Sequence, residues 1–293
     1  MIPDITVSVI VPVWNDSYRV LKCVNALKNQ TLPKEKFEII VVDNGSQDNT
    51  FEVLQQLEGI TVLQESTPGS YAARNKAISV ANGSILAFTD SDCIPDKTWL
   101  ENLVSCINSD KLIGIVAGEV KFFEAENDSV EREALAFESM FSMNQKKYAE
   151  NGLCITANWC SKKSVLEAHS GFRTDLKSGG DHDMSRRIVD SGLKVKHCEE
   201  AKVYHPARNK QELLKKRRRV IGGSWDKSKE KFKTFIILKN SAKLFVKRLF
   251  KAISISNYSV YEKVLIIKML FLILGVSISE VLKLTLGKES SRS

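Results

Sequence analysis

The chain has 293 residues, of which 43% are hydrophobic and 27% charged, an ordinary globular composition for one large domain or two small ones. Its net charge of +8 at pH 7 favours acidic partners: nucleotides, nucleic acid or an anionic membrane surface. None of the six cysteines lies in a Cys-x-x-Cys pair, which argues against zinc-ribbon and thioredoxin-type sites and predicts buried thiols in a reducing cytosol. The N-terminal apolar run is too short for a signal peptide, so we expect a cytoplasmic catalytic part.

Apolar segments alternate with helical patterns at the start of the chain. We predict strands at residues 7–14, 37–43, 60–64 and 85–88, and helices between them at 15–30, 48–57 and 69–81. Asn15 or Asp16 is expected to cap the first helix, and Ser46 or Asp48 the second. This alternation indicates a parallel sheet with right-handed crossovers.

Acidic residues follow two of these strands. Asp90 and Asp92 come directly after the fourth strand, at the sheet edge where α/β proteins bind ligands. The pair predicts a Mg2+ or Mn2+ site that also holds phosphate oxygens, and the alternative is a solvated acidic turn. Asp43 ends the second strand and can accept a hydrogen bond from a ribose hydroxyl or a base N–H, or form an Asx turn.

The loop after the first strand excludes two kinds of nucleotide site. It reads Pro12-Val-Trp-Asn-Asp-Ser17 and has no glycine, whereas dinucleotide-binding folds need Gly-x-Gly-x-x-Gly there. The chain also contains no Walker A loop. NAD binding and P-loop ATP binding are therefore disfavoured.

The pattern changes after Pro95. We predict a helix at 97–109, a strand at 113–123, a helical stretch at 128–150, a short strand at 156–161 and a strand region at 201–208. The apolar face within 128–150 would be core or would line an acceptor groove. Its members are Phe137, Met140, Phe141 and Met143.

The segment after Arg208 combines basic and apolar residues. We predict a basic helix at 211–221 that ends at Gly222-Gly-Ser224, a cationic and apolar helix at 239–251, and an apolar helix at 261–286. The uninterrupted apolar run from Met269 is too short to predict a bilayer-spanning helix. The tail therefore suits an anionic membrane interface or, alternatively, a helical pair packed on the domain.

Four motifs, in this order and spacing, resemble those of family 2 glycosyltransferases. They are Val7–Asn15, Val41-Val-Asp-Asn-Gly-Ser46, Gly69-Ser-Tyr-Ala-Ala-Arg-Asn-Lys-Ala-Ile78 and Thr89-Asp-Ser-Asp92. The resemblance implies an α/β architecture of the GT-A type, with a Rossmann-like, mostly parallel sheet flanked by helices. Residues 1–208 would form the catalytic domain, with 1–95 binding the nucleotide sugar and 96–208 the acceptor. Residues 209–293 would form a basic, amphipathic helical tail.

The resemblance also implies roles for single residues on the donor side. Asp43 would bind the base, with uracil expected; Asp90 would approach the ribose and sugar, and Asp92 would be a metal ligand. The other implied nucleotide-sugar contacts are Pro12, Trp14, Arg74 and Ser91. Arg74 could instead be a helix-surface arginine, and Asn75 is either a structural cap or a contact.

The run Gly180-Asp-His-Asp183 departs from the family pattern. The family usually has Glu-Asp followed one residue later by Asp, and here Gly180 replaces the Glu. By register Asp181 matches the general base and would cap a helix, with Asp183 as the alternative. His205 matches a family histidine near the diphosphate or metal, and is a metal ligand or structural. The implied acceptor and sugar contacts are Asn158, Trp159, Gly180, His182 and Asp183.

The sequence thus predicts an inverting glycosyltransferase that uses Mn2+ or Mg2+ and moves a sugar from a UDP-sugar to a hydroxyl of a glycan or lipid-linked acceptor. We expect it at the cytoplasmic face of an anionic membrane, in polysaccharide or cell-envelope synthesis. One alternative, a nucleotidyltransferase, normally needs a glycine-rich basic loop after the first strand. A second, nucleic-acid binding by Lys215–Arg219, lacks interleaved aromatic residues, so we expect no nucleic-acid partner.

Overall fold

The computed structural model describes residues 5–123, 130–176, 178–228, 231–256 and 258–289, and the chain divides into two compact units. One unit, here called the sheet unit, combines the chain up to Lys121 with Met143–His205. The other, the helical unit, combines Phe122–Ser142 with the chain from Pro206 onward. A single boundary at residue 208 does not describe this division, because Phe122–Ser142 also belongs to the helical unit.

The sheet unit is built on one eight-stranded sheet with the order β3-β2-β1-β4-β7-β6-β8-β5. Its strands are β1 (Val7–Val13), β2 (Phe37–Asp43), β3 (Thr61–Gln64), β4 (Ile85–Thr89), β5 (Ile94–Pro95), β6 (Ile113–Phe123), β7 (Asn158–Lys162) and β8 (Lys194–Pro206). Strands β3, β2, β1 and β4 pair in parallel, whereas β4–β7, β6–β7 and β5–β8 are antiparallel. The predicted α/β class with a mostly parallel sheet at its N-terminal half is confirmed.

In the described part of the sheet unit, seven α-helices flank or connect these strands, and a short 3-10 helix at Lys34–Lys36 precedes β2. The α-helices are α1 (Ser17–Lys28), α2 (Thr50–Gln55), α3 (Ser70–Val80), α4 (Trp99–Asn108), α6 (Gln145–Ala149), α7 (Lys163–Ala168) and α8 (Gly180–Asp190). The helical unit contains α5 (Arg132–Phe141), α9 (Lys210–Lys227), α10 (Lys233–Ser254) and α11 (Val260–Thr285). The predicted helical stretch 128–150 is two helices, because the chain turns between them at Met143, whose φ is 46°. Its first two residues lie outside the described part of the chain.

The core of the sheet unit lies on both faces of the parallel strands. All seven residues of β1 and all five of β4 are buried, as their continuous apolar sequences predict. Ile10, Ile40 and Phe88 pack in one cluster with Ala73 and Ala77, the small side chains that α3 turns toward the sheet. Each fully buried Ile or Phe contributes roughly 1.5–3 kcal/mol of transfer free energy, so this cluster fixes α3 against the strands.

Two predictions about helix ends are corrected and one is confirmed. Asn49, rather than Ser46 or Asp48, is the N-cap of α2; the Asp48 carboxylate accepts from the Thr50 N–H at 3.0 Å in a local turn. The N-cap of α8 is Gly179, so Asp181 lies in the first turn and does not cap the helix. The cap of α1 is Asp16, one of the two predicted candidates.

Helix α9 does not end at its glycines. It continues through Gly222 and Gly223 to Lys227, although each glycine disfavours a helix by about 1 kcal/mol. Ile221 and Gly222 are buried, and Ile221 packs with Ile237, Val281 and Leu284 of the two following helices. Tertiary packing therefore outweighs the local preference of the glycines.

A second core holds the helical unit together. Phe137 and Met140 of α5 are buried with Leu213, Ile266 and Met269 of α9 and α11. The apolar face of α5 is therefore core. Among the helices the structure describes, α11 alone is long and apolar enough, by length and composition, to cross a membrane. It is longer than the uninterrupted apolar run considered from the sequence.

Candidate active site

The loops that follow β1 and β2 meet at the carboxyl edge of the sheet. The Asn15 N–H donates to Ser46 Oγ at 2.9 Å, and the Asn15 side chain accepts from the Gln47 N–H at 2.7 Å. Asn44 accepts from the Gly69 N–H at 2.6 Å and so connects the β2 loop to the start of α3. These hydrogen bonds hold three loops together at the edge where open α/β sheets bind ligands.

The Asp43 side chain is fully buried at this edge. Its Oδ2 accepts a hydrogen bond from the Ser46 N–H at 3.1 Å. Its Oδ1 is buried and has no hydrogen-bond partner within the described part of the chain. A buried acceptor left without a donor costs about 1–3 kcal/mol, so Oδ1 is suited to accept from a ligand.

Arg74 is a buried residue of α3 and not a helix-surface arginine. Its side chain is 3% exposed, and Nη2 donates to Asp90 Oδ1 at 2.7 Å. Nε of Arg74 has no partner among the residues described. The ion pair fixes Asp90, whose carboxylate is 32% exposed at the end of β4 and therefore accessible to a ligand.

Asp92 and His205 come together because β5 pairs with β8. The register places Ile94 opposite Tyr204, and His205 Nε2 lies 3.5 Å from Asp92 Oδ2. The possible ligand atoms of Asp92, Cys93 and His205 all lie within 4.8 Å of one another. Carboxylate and imidazole groups suit a divalent cation such as Mn2+.

Cys93 contributes less to such a cation site. Burial, followed by the charges of Asp92 and Asp90, raises the pKa of its thiol well above the ordinary value. The protonated thiol is a weak ligand, and binding a metal would require its proton to leave. The donor set of Asp92 and His205 therefore fits a hard or borderline divalent ion that also takes phosphate oxygens.

Three carboxylates act on the same buried region. Burial, then Asp92, Asp90 and Asp16, raise the pKa of the Cys23 thiol, which lies 3.6 Å from the Asp90 carbonyl oxygen. Burial is also the largest cause of the raised pKa of Asp16, to which Asp92 adds and which Arg19 opposes. The convergence of negative charge at this edge favours a cation.

Helix α8 presents two carboxylates with different partners. Asp183 Oδ2 accepts from Arg187 Nε at 3.0 Å, and Arg187 also donates to the backbone carbonyls of His169 and Gly171. Within the described part of the chain, Asp181 Oδ1 accepts only a local bond, from the His182 N–H at 2.9 Å. Asp183 thus belongs to a structural network, whereas Asp181 is half-buried with a largely uncommitted carboxylate. Nε2 of His182 is buried and lacks a partner within the described ranges.

Asn158 and Trp159, predicted to contact the acceptor, have no exposed surface. Asn158 accepts from Trp99 Nε1 at 2.9 Å and donates to the carbonyls of Glu119 and Ala201, both at 2.8 Å. Trp159 packs in the main core. These two side chains hold the sheet together, so we remove them from the site.

The remaining predicted residues differ in accessibility. Trp14 is 51% exposed beyond β1 and Ser91 is half-buried, whereas Pro12 and Gly180 are buried. Asn75 is neither a helix cap nor a ligand contact, because its side chain donates to the Phe172 carbonyl at 2.7 Å and accepts from the Phe172 N–H at 2.9 Å.

Two residues at the site had no role in the sequence analysis. Tyr71 contacts Gly180 through a 2.9 Å hydrogen bond, and Cys93 lies beside Asp92 and His205. Tyr71 precedes Arg74 by three residues in the predicted helix, which places both on one helix face. That spacing was the available signal for Tyr71, whereas Cys93 had none beyond its adjacency to Asp92.

Comparison with known proteins identifies the family and the fold. The family model described as glycosyl transferase family 2 matches residues 8–170, more than half of the chain. The chain is 38% identical over 223 residues to glycosyltransferase AglE of Haloferax volcanii, covering 74% of this chain and 72% of AglE. For several other curated relatives it covers less than two thirds of their length, down to 14%.

Two solved structures share the fold. One is the mannosyltransferase PcManGT of Pyrobaculum calidifontis in complex with GDP-Man and Mn2+, with a TM-score of 0.59, 19% identity and coverage of 97% of this chain and 76% of that one. The other is Staphylococcus aureus TarS 1-349 in complex with UDP, with a TM-score of 0.54, 17% identity and coverage of 97% and 92%. The chain is a glycosyltransferase with a nucleotide-sugar donor and a GT-A fold, and it belongs to glycosyl transferase family 2.

Proposed function

We propose that the enzyme transfers a sugar, with inversion, from a UDP-sugar to a hydroxyl group of a glycan or lipid-linked acceptor. One observation carries this proposal. The buried polar side-chain atoms that lack partners in the described part of the chain are Asp43 Oδ1, Arg74 Nε and His182 Nε2. All three belong to residues that the sequence assigned to the donor or the acceptor. A bound substrate would supply the missing hydrogen bonds, each of which otherwise costs about 1–3 kcal/mol.

The hydrogen bonding of Asp43 supports uracil as the base. Oδ2 is already occupied by the Ser46 N–H, which leaves Oδ1 to accept one hydrogen bond. Uracil presents a single N–H donor on its pairing edge, at N3, whereas guanine presents two that would need both carboxylate oxygens. The accessible ring of Trp14 could stack on the base.

Asp92 and His205 would hold the divalent ion, supported by the 3.5 Å separation of their ligand atoms. When bound, the ion supplies positive charge that stabilises the diphosphate as it leaves. Arg74 binds near the donor and, through its ion pair, orients Asp90 toward the ribose and sugar. Trp14 and Ser91 complete the donor contacts in this proposal.

Asp181 acts as the general base. The acceptor hydroxyl oxygen bonds to the anomeric carbon while the bond from that carbon to the diphosphate oxygen breaks, and Asp181 takes the hydroxyl proton. Attack occurs on the face opposite the leaving diphosphate, so the configuration inverts. Proton transfer to a positioned base such as Asp181 typically accelerates a reaction by about 10²–10⁴-fold. His182 contacts the acceptor through Nε2, which is unpaired within the described part of the chain.

The donor half of the proposal is tested by calorimetry of UDP and GDP binding with Mn2+, Mg2+ or EDTA. We expect the wild type to bind UDP more tightly than GDP. With Mn2+ present, the Asp92→Asn variant should bind UDP only as tightly as the wild type does in EDTA. Lys97→Gln, an exposed change after the same strand region, is the control and should bind normally. Equal UDP affinity with Mn2+ and EDTA would overturn the metal assignment.

The base is tested by exchanging the two carboxylates separately for amides. Asp181→Asn should abolish transfer and leave UDP affinity unchanged, because Asp181 acts on the acceptor. Asp183→Asn should mainly lower stability, since it weakens the Arg187 network. An inactive Asp183→Asn with an active Asp181→Asn would assign the base to Asp183.

The acceptor side of the proposal places the enzyme at an anionic membrane surface. Lys239, Lys243 and Lys247 of α10 are exposed, and exposed apolar residues are interleaved with them. Those apolar residues are Phe235, Val246, Phe250 and Ile253. A helix with exposed lysines and exposed aromatic and aliphatic side chains suits a membrane interface, where lipid-linked acceptors are found.

A further inference from the structure

The replacement of glutamate by Gly180 has a physical explanation in the ring of Tyr71. A Cβ atom at residue 180 would lie 2.7 Å from Cε2 and 2.8 Å from Cζ of Tyr71. Contacts this short are not tolerated, and both atoms belong to a rigid aromatic ring. Any side chain at position 180 is therefore incompatible with Tyr71 in its present position.

The Tyr71 ring is held from two sides. It stacks on Phe172, with ring centroids 5.9 Å apart and planes 18° apart. The Arg74 guanidinium lies 5.9 Å from its centroid, and Arg74 is itself fixed by Asp90. Because Asn75 clamps the Phe172 backbone, the ring has little freedom to move away from Gly180.

The phenol oxygen occupies the start of α8. It accepts a hydrogen bond from the Gly180 N–H at 2.9 Å, at a helix end where the N-cap residue Gly179 provides no side-chain acceptor. Burial and then the Asp181 carboxylate raise the pKa of Tyr71, whereas the charge of Arg74 and the backbone N–H groups of Gly180 and Asp181 oppose that change. Tyr71 thus satisfies the Gly180 N–H, one of the groups that helix geometry leaves unpaired.

We propose that Tyr71 is a positioning residue for Asp181 and caps the first turn of α8 from α3. This inference rests on the proposed role of Asp181 as the base. Because residue 180 is glycine, the Tyr71 ring can lie against the start of α8 and fix the backbone of residues 180 and 181. The fixed backbone in turn orients the Asp181 carboxylate toward the acceptor hydroxyl. A fixed base matters because a small displacement of a catalytic group greatly lowers the rate.

Tyr71→Phe tests the cap, because it keeps the ring beside Gly180 and removes only the oxygen. We expect kcat to fall about tenfold, the effect of one well-placed hydrogen bond, while KM for the donor and the Kd of UDP stay within about twofold. The donor parameters are spared because Asp43 and Arg74 keep their positions. Tyr261→Phe, at an exposed tyrosine of α11, is the matched control and should retain kcat.

A second pair of variants tests the steric part without measuring activity. Gly180→Ala should lower Tm markedly in the wild-type background, because its Cβ meets the Tyr71 ring. In a Tyr71→Ala background the same change should cost much less, so the two losses should not add. Additive losses would show that the ring and position 180 do not compete for space.

The outcomes separate this inference from the proposed function. An active Asp181→Asn variant would overturn the assignment of the base, and with it the positioning role. An inactive Asp181→Asn variant together with wild-type kcat in Tyr71→Phe would overturn the positioning role alone. An effect of Tyr71→Phe on UDP affinity instead of kcat would likewise overturn it, because the tyrosine would then act on the donor.

Discussion

Two buried polar residues of the sheet unit differ in how completely their atoms are paired. Asn158 uses its side chain to bond three separate partners in the protein, whereas Asp43 leaves Oδ1 unpaired. Buried polar groups are normally hydrogen-bonded, so a complete set of partners indicates a structural role and an incomplete one indicates a ligand contact. Pairing, and not burial alone, distinguishes a residue of the framework from a residue of the site.

Asn158→Asp tests this distinction. The change keeps the shape of the side chain but replaces the amide that donates to the carbonyls of Glu119 and Ala201 with an oxygen that cannot donate. We expect stability to fall by about 3 kcal/mol or more, since two buried carbonyls lose their donor and a charge becomes buried. The measurement is denaturant unfolding followed by tryptophan fluorescence.

The control for this prediction is Asn49→Asp, which changes the exposed N-cap of α2, a position where asparagine and aspartate are equally favourable and where the side chain makes no capping hydrogen bond. It should alter stability by less than about 0.5 kcal/mol. UDP affinity of folded Asn158→Asp should equal that of the wild type. A variant of normal stability that has lost acceptor binding would restore Asn158 to the site.

The sequence indicates where the proposed donor residues meet more readily than where the proposed acceptor residues lie, for a physical reason. Asp43, Asp90 and Asp92 follow apolar strands, and strand ends at the carboxyl edge of a parallel sheet meet at one place. Asn158 and Trp159 lie inside β7, where burial on both faces removes the alternation that would show which side chains face outward. The contact between Tyr71 and Gly180 joins residues 109 positions apart, which no local pattern can indicate.

At the scale of elements, α3 connects the proposed donor and acceptor sides of the site. Within two turns it carries Tyr71, which bonds the start of α8, Arg74, which pairs with Asp90, and Asn75, which clamps Phe172. Ala73 and Ala77 on the opposite side pack into the core and anchor the helix. Residues three and four positions apart share a helix face, so one short helix can orient several site residues.

Helices and strands could be predicted where a local sequence pattern determines their ends. They were harder to predict where tertiary packing determines them. The strands β2 and β6 were predicted with their observed bounds, because their apolar runs end at clear polar boundaries. The sequence did not predict the break between α5 and α6 or the continuation of α9 through Gly222. Both depend on packing partners that are distant in sequence. Apart from proline, local helix preference is worth at most about 1 kcal/mol per residue, which a few buried side chains exceed.

The carboxylate of Glu38 leads to a prediction about how the stability of the sheet unit depends on pH. Its carboxylate accepts from Ser8 Oγ of β1 at 2.5 Å and from the Asn82 N–H before β4 at 2.6 Å. Burial, the largest single effect, raises the pKa of Glu38, but the hydrogen bonds from Ser8, Asn82 and Gly83 together outweigh it, and the pKa is lowered. The stabilisation is therefore fully present above the unfolded pKa of about 4.3 and is lost as pH falls through the lower folded pKa.

Glu38→Gln should reduce stability at pH 7 and make unfolding less sensitive to acid. The difference between variant and wild type should narrow as pH falls below about 4, where the wild-type carboxylate becomes protonated. Urea unfolding midpoints between pH 3 and pH 7 measure this. Glu58→Gln, an exposed glutamate, should follow the wild-type curve, and a constant gap for Glu38→Gln at every pH would contradict the assigned cause.

At the scale of the whole molecule, removal of the tail is not a clean test of membrane binding. The helical unit includes α5, whose Phe137 and Met140 are buried by side chains of α9 and α11. Truncation at Arg208 would expose that apolar face and could create nonspecific lipid binding. The sequence suggested a separable tail because no local sequence pattern shows that α5, which lies much earlier in the chain, packs with the C-terminal helices.

Charge reversal on α10 within the intact chain avoids this problem. In Lys239→Glu/Lys243→Glu/Lys247→Glu, three exposed lysines become acidic while the core of the helical unit is unchanged. Each basic residue near an anionic surface contributes roughly 1 kcal/mol, so we expect affinity for anionic vesicles to fall by at least about a hundredfold. Co-sedimentation with phosphatidylserine and phosphatidylcholine vesicles, at low and high salt, measures the effect. Wild-type binding should weaken as salt rises, because screening shortens the reach of the charges.

The control variant places the same charge change on the sheet unit. Lys34→Glu/Lys97→Glu/Lys111→Glu alters three exposed lysines there and gives the same net charge as the α10 variant. If α10 lies against the membrane, this control should retain most of the wild-type binding, because its altered lysines lie away from the membrane-facing helix. An effect of net charge alone would instead weaken binding equally in both variants. A further variant, Val246→Ser/Phe250→Ser/Ile253→Ser, removes exposed apolar side chains and should weaken the binding that persists at high salt, since burial in the interface is not screened. Equal binding by the α10 variant and the wild type would exclude α10 as the membrane-facing element.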